Sequence, residues 1–314
     1  MPYRKFGQTD LVVSEVGFGA WGIGGQAYGS SDQQEALRAL GRAEELGCNF
    51  VDTALVYGTS ELTIGEFLRG RRGKWIVATK YSGQKPGMTA TLEEQLRRLG
   101  TDHVDLYQIH WVPKDPGQPL YEELYRLKKS GKVRYVGVSL ATPTDVDYVL
   151  DHTMLDSVML PLSLLDPLPF LARARQIGAR GLAVIARSTL KEGFLVGGYT
   201  RDTRFTDPND QRSKWPSERI AAVVDQVEKF RFLESEHGSM IAAAVGYPLS
   251  FPQISTVIMG TMTVSEAEGN FGKFPGLRLT EAELQRVADL QDKMGLWGIR
   301  ERVLRALRSL SHRT

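Results

Sequence analysis

Four residues have the types and spacing for moving a proton onto or off an oxygen: Asp52, Tyr57, Lys80 and His110. Asp52 ends the run Phe50-Val51-Asp52, and Tyr57 follows five residues later. Lys80 ends Trp75-Ile76-Val77-Ala78-Thr79-Lys80, and His110 ends Val104-Asp105-Leu106-Tyr107-Gln108-Ile109-His110. Each apolar run reads as a short β-strand, so the four groups sit at or just past strand ends. A free phenol has a pKa of about 10 and is a weak acid at neutral pH. A neighbouring ammonium favours its ionised form. A carboxylate would hold that ammonium charged and in place, and an imidazole would orient the substrate oxygen. Together they suit general acid–base catalysis at a carbonyl.

The elements that must position these groups alternate along the chain. Residues 3–6 and 11–13 flank Gly7-Gln8-Thr9-Asp10 as a short hairpin. Strands are expected at 15–20, 50–54, 75–79, 104–109, 134–139, 157–162, 182–186 and 255–259. Their near-continuous apolar runs suit parallel strands buried on both faces. Between them, Ser31 with Gln34, Thr91 with Glu94 and Thr280 with Glu283 read as capping boxes. Thr142-Pro143 reads as an N-cap followed by proline, and Gly47, Gly100 and Gly131 as helix ends. Leu37, Leu40, Ala43 and Leu46 give one helix an apolar stripe, and Leu92, Leu96 and Leu99 another. Eight such repeats over 314 residues predict one α/β domain over residues 1–314, a closed (β/α)8 TIM barrel entered by an N-terminal β-hairpin. In that fold the site lies at the C-terminal ends of the strands. A long loop at 188–216 and a C-terminal helical tail at 297–314 complete the expected layout.

The net charge of +2 calls for neither a nucleic acid nor an anionic membrane as partner. Cys48 is the single cysteine, which fits a reducing compartment and no intrachain disulfide. There is no signal-peptide pattern or bilayer-length apolar stretch. A cytoplasmic protein is expected, a monomer or small homo-oligomer acting on a small molecule. The histidines and Cys48 form no metal-spaced cluster.

Two motifs are set aside. Gly17-Phe18-Gly19-Ala20-Trp21-Gly22 spells GxGxxG, but the expected helix starts near Ser31 rather than inside the motif. Tyr125 and Lys129 have YxxxK spacing but fall on a helix face beside Leu124 and Leu127.

The chain resembles the aldo-keto reductase family along most of its length. The resemblance is carried by Asp52-Thr53-Ala54-Leu55-Val56-Tyr57-Gly58, Ala78-Thr79-Lys80, Gln108-Ile109-His110, Val136-Gly137-Val138-Ser139, Leu190 to Gly193, and Ala267-Glu268-Gly269-Asn270. It implies an NADP(H)-dependent oxidoreductase in which Tyr57 is the general acid or base. Lys80 and Asp52 would tune Tyr57, and His110 would orient the carbonyl. Hydride must come from the cofactor, because no side chain supplies it.

The same resemblance places the cofactor beside Ser139, Leu140, Met159, Arg187, Leu190, Gly193, Gly260 and Asn270. Several of these depart from the family pattern. Leu140 replaces an asparagine. Met159 and Leu162 replace a glutamine and a stacking aromatic. Arg187 stands where an aromatic is common, Met262 where a basic residue is, and Gly269 where a glutamate is. Arg187, Arg201, Arg204 and Arg212 could hold phosphates instead. The departures keep open a second reading, a non-redox dehydratase, isomerase or cyclase that uses the same tetrad on such a barrel and binds NADP(H) weakly or not at all. Trp21, Leu55 and Trp111 are the expected pocket walls, with Trp215 a further candidate.

Overall fold

The runs expected to be buried on both faces close into a barrel. In the computed structural model, which describes residues 1–25, 27–114 and 119–297, strands β1 (Tyr3–Lys5) and β2 (Val12–Ser14) form the antiparallel hairpin. The barrel strands are β3 (Val16–Gly19), β4 (Phe50–Asp52), β5 (Ile76–Tyr81), β6 (Val104–Ile109), β7 (Val133–Ser139), β8 (Ser157–Pro161), β9 (Ala183–Arg187) and β10 (Ile254–Gly260). They close in the order β10-β3-β4-β5-β6-β7-β8-β9, every pairing parallel.

Successive side chains on a strand point to opposite faces, and the two apolar clusters separate accordingly. Phe50, Ala78, Leu106, Met159, Ala183 and Ile185 fill the barrel together with Phe6, Leu11 and Val13 of the hairpin segment. Val51, Val77, Tyr107, Val138, Val158 and Val184 instead pack with the surrounding helices. The hairpin plugs the N-terminal end: the turn residue Gly7 lies against Ala183 at the start of β9, where a Cβ would come within 2.5 Å of the Ala183 nitrogen. Phe50 is 0% exposed and its ring lies 6.0 Å from that of Phe6. Removing so large a buried side chain costs about 3–5 kcal/mol. With that end closed, the inward series can open only at the C-terminal rim.

The helix signals hold in part. Thr280 with Glu283 forms a capping box, and Thr142 caps its helix with Pro143 in the first turn. Gly47, Gly100 and Gly131 end their helices at φ +91°, +63° and +83°. The Ser31 cap is corrected. Helix Gln33–Glu45 is capped by Asp32, whose carboxylate accepts from the Gln34 and Glu35 N–H groups, while Ser31 donates to the Ile23 carbonyl. The Thr91 cap is also corrected. Helix Met88–Leu99 begins after Gly87, and Thr91 lies inside it, donating to the Gly87 carbonyl at 2.8 Å. A hydroxyl followed three residues later by a glutamate is equally compatible with the middle of a helix, where the hydroxyl bonds back one turn.

Gly17 and Gly19 of the set-aside motif lie in β3, where Cβ atoms would meet Phe50 and the Met259 backbone. Tyr125 lies on the helix Leu120–Lys129, its hydroxyl accepting from the Met154 N–H. The long loop holds two 3-10 turns, Phe194–Val196 and Gln211–Lys214. It is tied to the loop after β3 by the Gln211 N–H donating to the Ala27 carbonyl at 3.1 Å. Of the expected tail, only Trp297 falls within the described residues. No helix among them is long and apolar enough to cross a membrane.

Candidate active site

The inward series that fills the barrel continues upward into polar residues. Phe50 is followed two positions on by Asp52, Ala78 by Lys80, Leu106 by Gln108 and then His110, and Ile185 by Arg187. Ser139 ends β7 in the same way. The alternation that builds the core therefore also brings these groups to one mouth.

Lys80 and Asp52 form the base of the site. Lys80 Nζ donates to Asp52 Oδ1 at 2.5 Å and to the Thr53 carbonyl at 2.8 Å, with both side chains almost fully buried. Gln108 Nε2 donates to the other carboxylate oxygen at 3.3 Å. Burial pushes the Asp52 carboxyl up, and the Lys80 ammonium and Gln108 amide oppose this. Burial works against the Lys80 ammonium, but Asp52 and then Tyr57 hold it above its usual range.

Tyr57 comes from the β4 loop, in a turn closed by its own N–H donating to the Ala54 carbonyl at 3.0 Å. Its ring lies over Lys80, with Nζ 5.0 Å from the centroid. Its hydroxyl is 3.4 Å from His110 Nε2. The other imidazole nitrogen, Nδ1, is 2.7 Å from Ser82 Oγ. Burial, then the Lys80 and Arg187 charges, pushes the His110 pKa down to about 3, so the ring is neutral at neutral pH.

Behind the strands a buried lattice fixes this layer. Gln95 Nε2 donates to the Lys80 carbonyl at 3.0 Å, to Glu61 at 2.9 Å and to Thr79 Oγ1 at 2.9 Å. Tyr107 donates to Gln95 Oε1 at 2.9 Å, and Thr79 to Glu61 at 2.7 Å. These bonds tie β5, β6 and two helices into one unit.

The proposed walls differ in setting. Trp21 is half-buried, 6.1 Å from the Tyr57 ring and edge-on to Tyr28 at 5.4 Å. Leu55 is half-buried on the same loop as Tyr57. Trp111 is 38% exposed, with its ring 5.9 Å from Tyr81. Trp215 is taken up elsewhere, stacked on Phe194 at 5.6 Å between ring centroids, with the Arg219 guanidinium 3.6 Å from the Trp215 ring centroid.

The residues assigned to the cofactor scatter. Ser139 is at the mouth, and no described residue bonds its hydroxyl. Leu140, Met159 and Leu162 are 0%, 1% and 0% exposed, so their side chains offer no free surface. Arg187 is half-buried and donates to the Leu140 carbonyl at 3.0 Å and Ser188 Oγ at 3.4 Å. Leu190 is half-buried, and Gly193 has φ +91°. Gly260 is exposed with open space beside it. Asn270 donates to the Gly260 carbonyl at 3.2 Å and Thr261 Oγ1 at 2.9 Å. Of the other loop arginines, Arg201 pairs with Asp225, Arg212 with Asp210, and Arg204 donates to the carbonyls of Arg201 and Thr203.

Sequence reasoning missed Ser82, Gln108 and Gln95. A period-2 count would have found the first two, since Ser82 is two past Lys80 and Gln108 two before His110. Nothing local marks Gln95, whose partners are remote in sequence. Among the described residues, no group of three or more His, Cys, Asp or Glu is placed to hold a metal.

Residues 15–292 match the profile of the Aldo/keto reductase family. Aldo-keto reductase str7 of Strobilurus tenacellus is 30% identical, over 96% of this chain and 95% of its own. L-galactose dehydrogenase of Arabidopsis thaliana is 31% identical, over 85% of this chain and 86% of its own. The glycerol dehydrogenase AKR11B4 from Gluconobacter oxydans has a TM-score of 0.76 at 27% identity, covering 93% of this chain and 95% of that one. A closed parallel barrel with these relatives places the chain in the aldo/keto reductase family.

Proposed function

We propose that the protein is a nicotinamide-nucleotide-dependent oxidoreductase that interconverts a carbonyl and an alcohol on a small organic or sugar-like molecule, with NADP(H) or NAD(H) as cofactor. The observation that carries this is the junction of the buried Lys80–Asp52 pair with the Tyr57–His110 contact at one barrel mouth. The relatives named L-galactose dehydrogenase and glycerol dehydrogenase favour a polyhydroxy substrate class.

The residues present fit a nicotinamide nucleotide. Ser139 offers an uncommitted hydroxyl. In the loop after β9, Ser188, Lys191, Glu192 and Gly193 all have positive φ. Backbone in that conformation can turn N–H groups toward one side and form a concavity for an anion. Ser139 and the backbone of this loop would hold the nucleotide. Bound there, it supplies the hydride that no side chain can.

The chain's own residues handle the proton. Tyr57 gives its hydroxyl proton to the substrate oxygen in reduction and takes it back in oxidation. The Lys80 ammonium stabilises the negative charge that develops on the phenol oxygen, and Asp52 keeps that ammonium charged and aimed. His110 is neutral. In the tautomer that serves the reaction, Ser82 donates to Nδ1 and Nε2–H donates to the substrate oxygen. Trp21 and Trp111 would wall the substrate.

The test is titration of NADPH and NADH, followed by fluorescence or calorimetry, on the wild type and Tyr57→Phe. Binding that survives the substitution while turnover disappears supports the reading. No binding of either nucleotide up to millimolar concentration sinks it and leaves the non-redox use of the tetrad.

A further inference from the structure

Two cations project from inward strand positions at the mouth, Lys80 and Arg187, and their surroundings differ. Lys80 is neutralised by Asp52 at 2.5 Å. Arg187 forms no ion pair with any described carboxylate; it donates to two neutral oxygens, the Leu140 carbonyl and Ser188 Oγ. Burial works against its charge and lowers its pKa, and the Tyr57 hydroxyl and the Asp166, Asp52 and Glu192 carboxylates oppose this only through space. Nearby basic groups of the loop are committed elsewhere, Lys191 to Asp166 at 3.9 Å and Arg212 to Asp210 at 2.6 Å. A guanidinium carries five N–H donors in a planar fork that matches a carboxylate. Two bonds to neutral oxygens leave donors unused. A half-buried cation without a paired anion is a standing electrostatic penalty that a fitting anion removes.

We propose that Arg187 forms an anion subsite beside Tyr57 and His110, and that the substrate is a small carbonyl compound bearing a carboxylate. The reaction assigned to that substrate rests on the oxidoreductase reading; the anion site does not. A carboxylate fits better than a phosphate. His110 is neutral and Lys80 already compensated, which leaves Arg187 as the cation that faces the anion, and a planar fork suits a planar carboxylate.

The experiment has a binding arm and a turnover arm. In the first, malonate and inorganic phosphate are titrated separately against tryptophan fluorescence, with and without saturating NADH or NADPH. Wild type, Arg187→Met and Arg187→Lys are compared after circular dichroism and thermal melting show native folds. Malonate is expected to bind the wild type more tightly than phosphate does. Its affinity should fall at least tenfold in Arg187→Met and lie between the two in Arg187→Lys, which keeps the charge and loses the fork. Equal malonate affinity in wild type and Arg187→Met overturns the proposal, as does tighter binding of phosphate or no malonate binding in any state. In the second arm, kcat/KM is compared for glyoxylate and succinic semialdehyde against the neutral glyceraldehyde. The ratio of acid to neutral substrate should exceed one in the wild type and fall at least tenfold in Arg187→Met. An unchanged ratio overturns the proposal while the oxidoreductase reading stands. Malonate binding through Arg187 without nucleotide binding does the reverse.

Discussion

Lys80 Nζ lies 2.5 Å from Asp52 Oδ1, with 0% and 2% of the two side chains exposed. An ion pair this deep is held by mutual compensation, so losing one member differs from losing both. Asp52→Asn leaves the ammonium buried without its counter-charge and is expected to lower stability by about 3–5 kcal/mol. Replacing both residues, Asp52→Asn with Lys80→Met, should recover much of that loss, because no uncompensated charge remains. Neither variant should turn over substrate. Urea unfolding and steady-state rates on the three proteins check this; a double variant no more stable than the single one would contradict it.

His110 has a pH signature. Its folded pKa is depressed to about 3 from an ordinary 6.5. Below 6.5 the unfolded chain takes up a proton that the folded ring refuses. Its contribution to stability is therefore present above pH 6.5 and is lost as pH falls toward 3, by at most about 1.4 kcal/mol per pH unit. Urea midpoints measured at pH 7.5, 6 and 5 should decline more steeply for the wild type than for His110→Gln. Turnover should show no inflection near pH 6.5 that disappears with His110.

Ser82 is expected to act on rate through His110. Its Oγ at 2.7 Å from Nδ1 sets which ring nitrogen carries the proton toward the mouth. Losing a hydrogen bond of this kind costs about 1 kcal/mol, or roughly fivefold. Ser82→Ala should lower kcat/KM by that order while nucleotide affinity stays within twofold, and Ser82→Thr should restore much of the rate. A Ser82→Ala enzyme with wild-type kinetics would remove Ser82 from the site.

Gly24 controls where Tyr57 sits. A Cβ on Gly24 would lie 1.9 Å from the Tyr57 carbonyl oxygen and 2.7 Å from its carbonyl carbon. That is backbone, which cannot swing aside, so Gly24→Ala must displace the Tyr57 turn or its own loop. We expect kcat to fall at least tenfold, with far-UV circular dichroism unchanged. A Gly24→Ala enzyme with normal kcat would show that the two loops separate freely.

How much was legible in the sequence follows from the range of each interaction. Barrel strands could be read because burial on both faces writes continuous apolar runs into each one. Helix ends were legible where glycine or a hydroxyl acts on its own turn, as at Gly100 and Thr280. Ser31 and Thr91 misled because a local pattern cannot say on which residue a helix begins. That these four groups meet was legible because Asp52, Lys80 and His110 end three apolar runs, Tyr57 follows Asp52 by five residues, and strand ends share a rim once the sheet closes.

Other features required the third dimension. Sequence could not show that Met159 and Leu162 are buried inside, or that Arg201 and Arg212 already have partners. It could not separate Arg187 from those neighbours, since an arginine's role depends on which carboxylate comes within reach. It also could not link Gln95 to Lys80, or Gly24 to Tyr57. By itself the sequence determined the family and the layer of the barrel in which these groups meet, because residue type and strand periodicity are local. The tertiary structure decided which charges are compensated and which face the mouth, because pairing depends on distances between segments that only closure of the barrel sets.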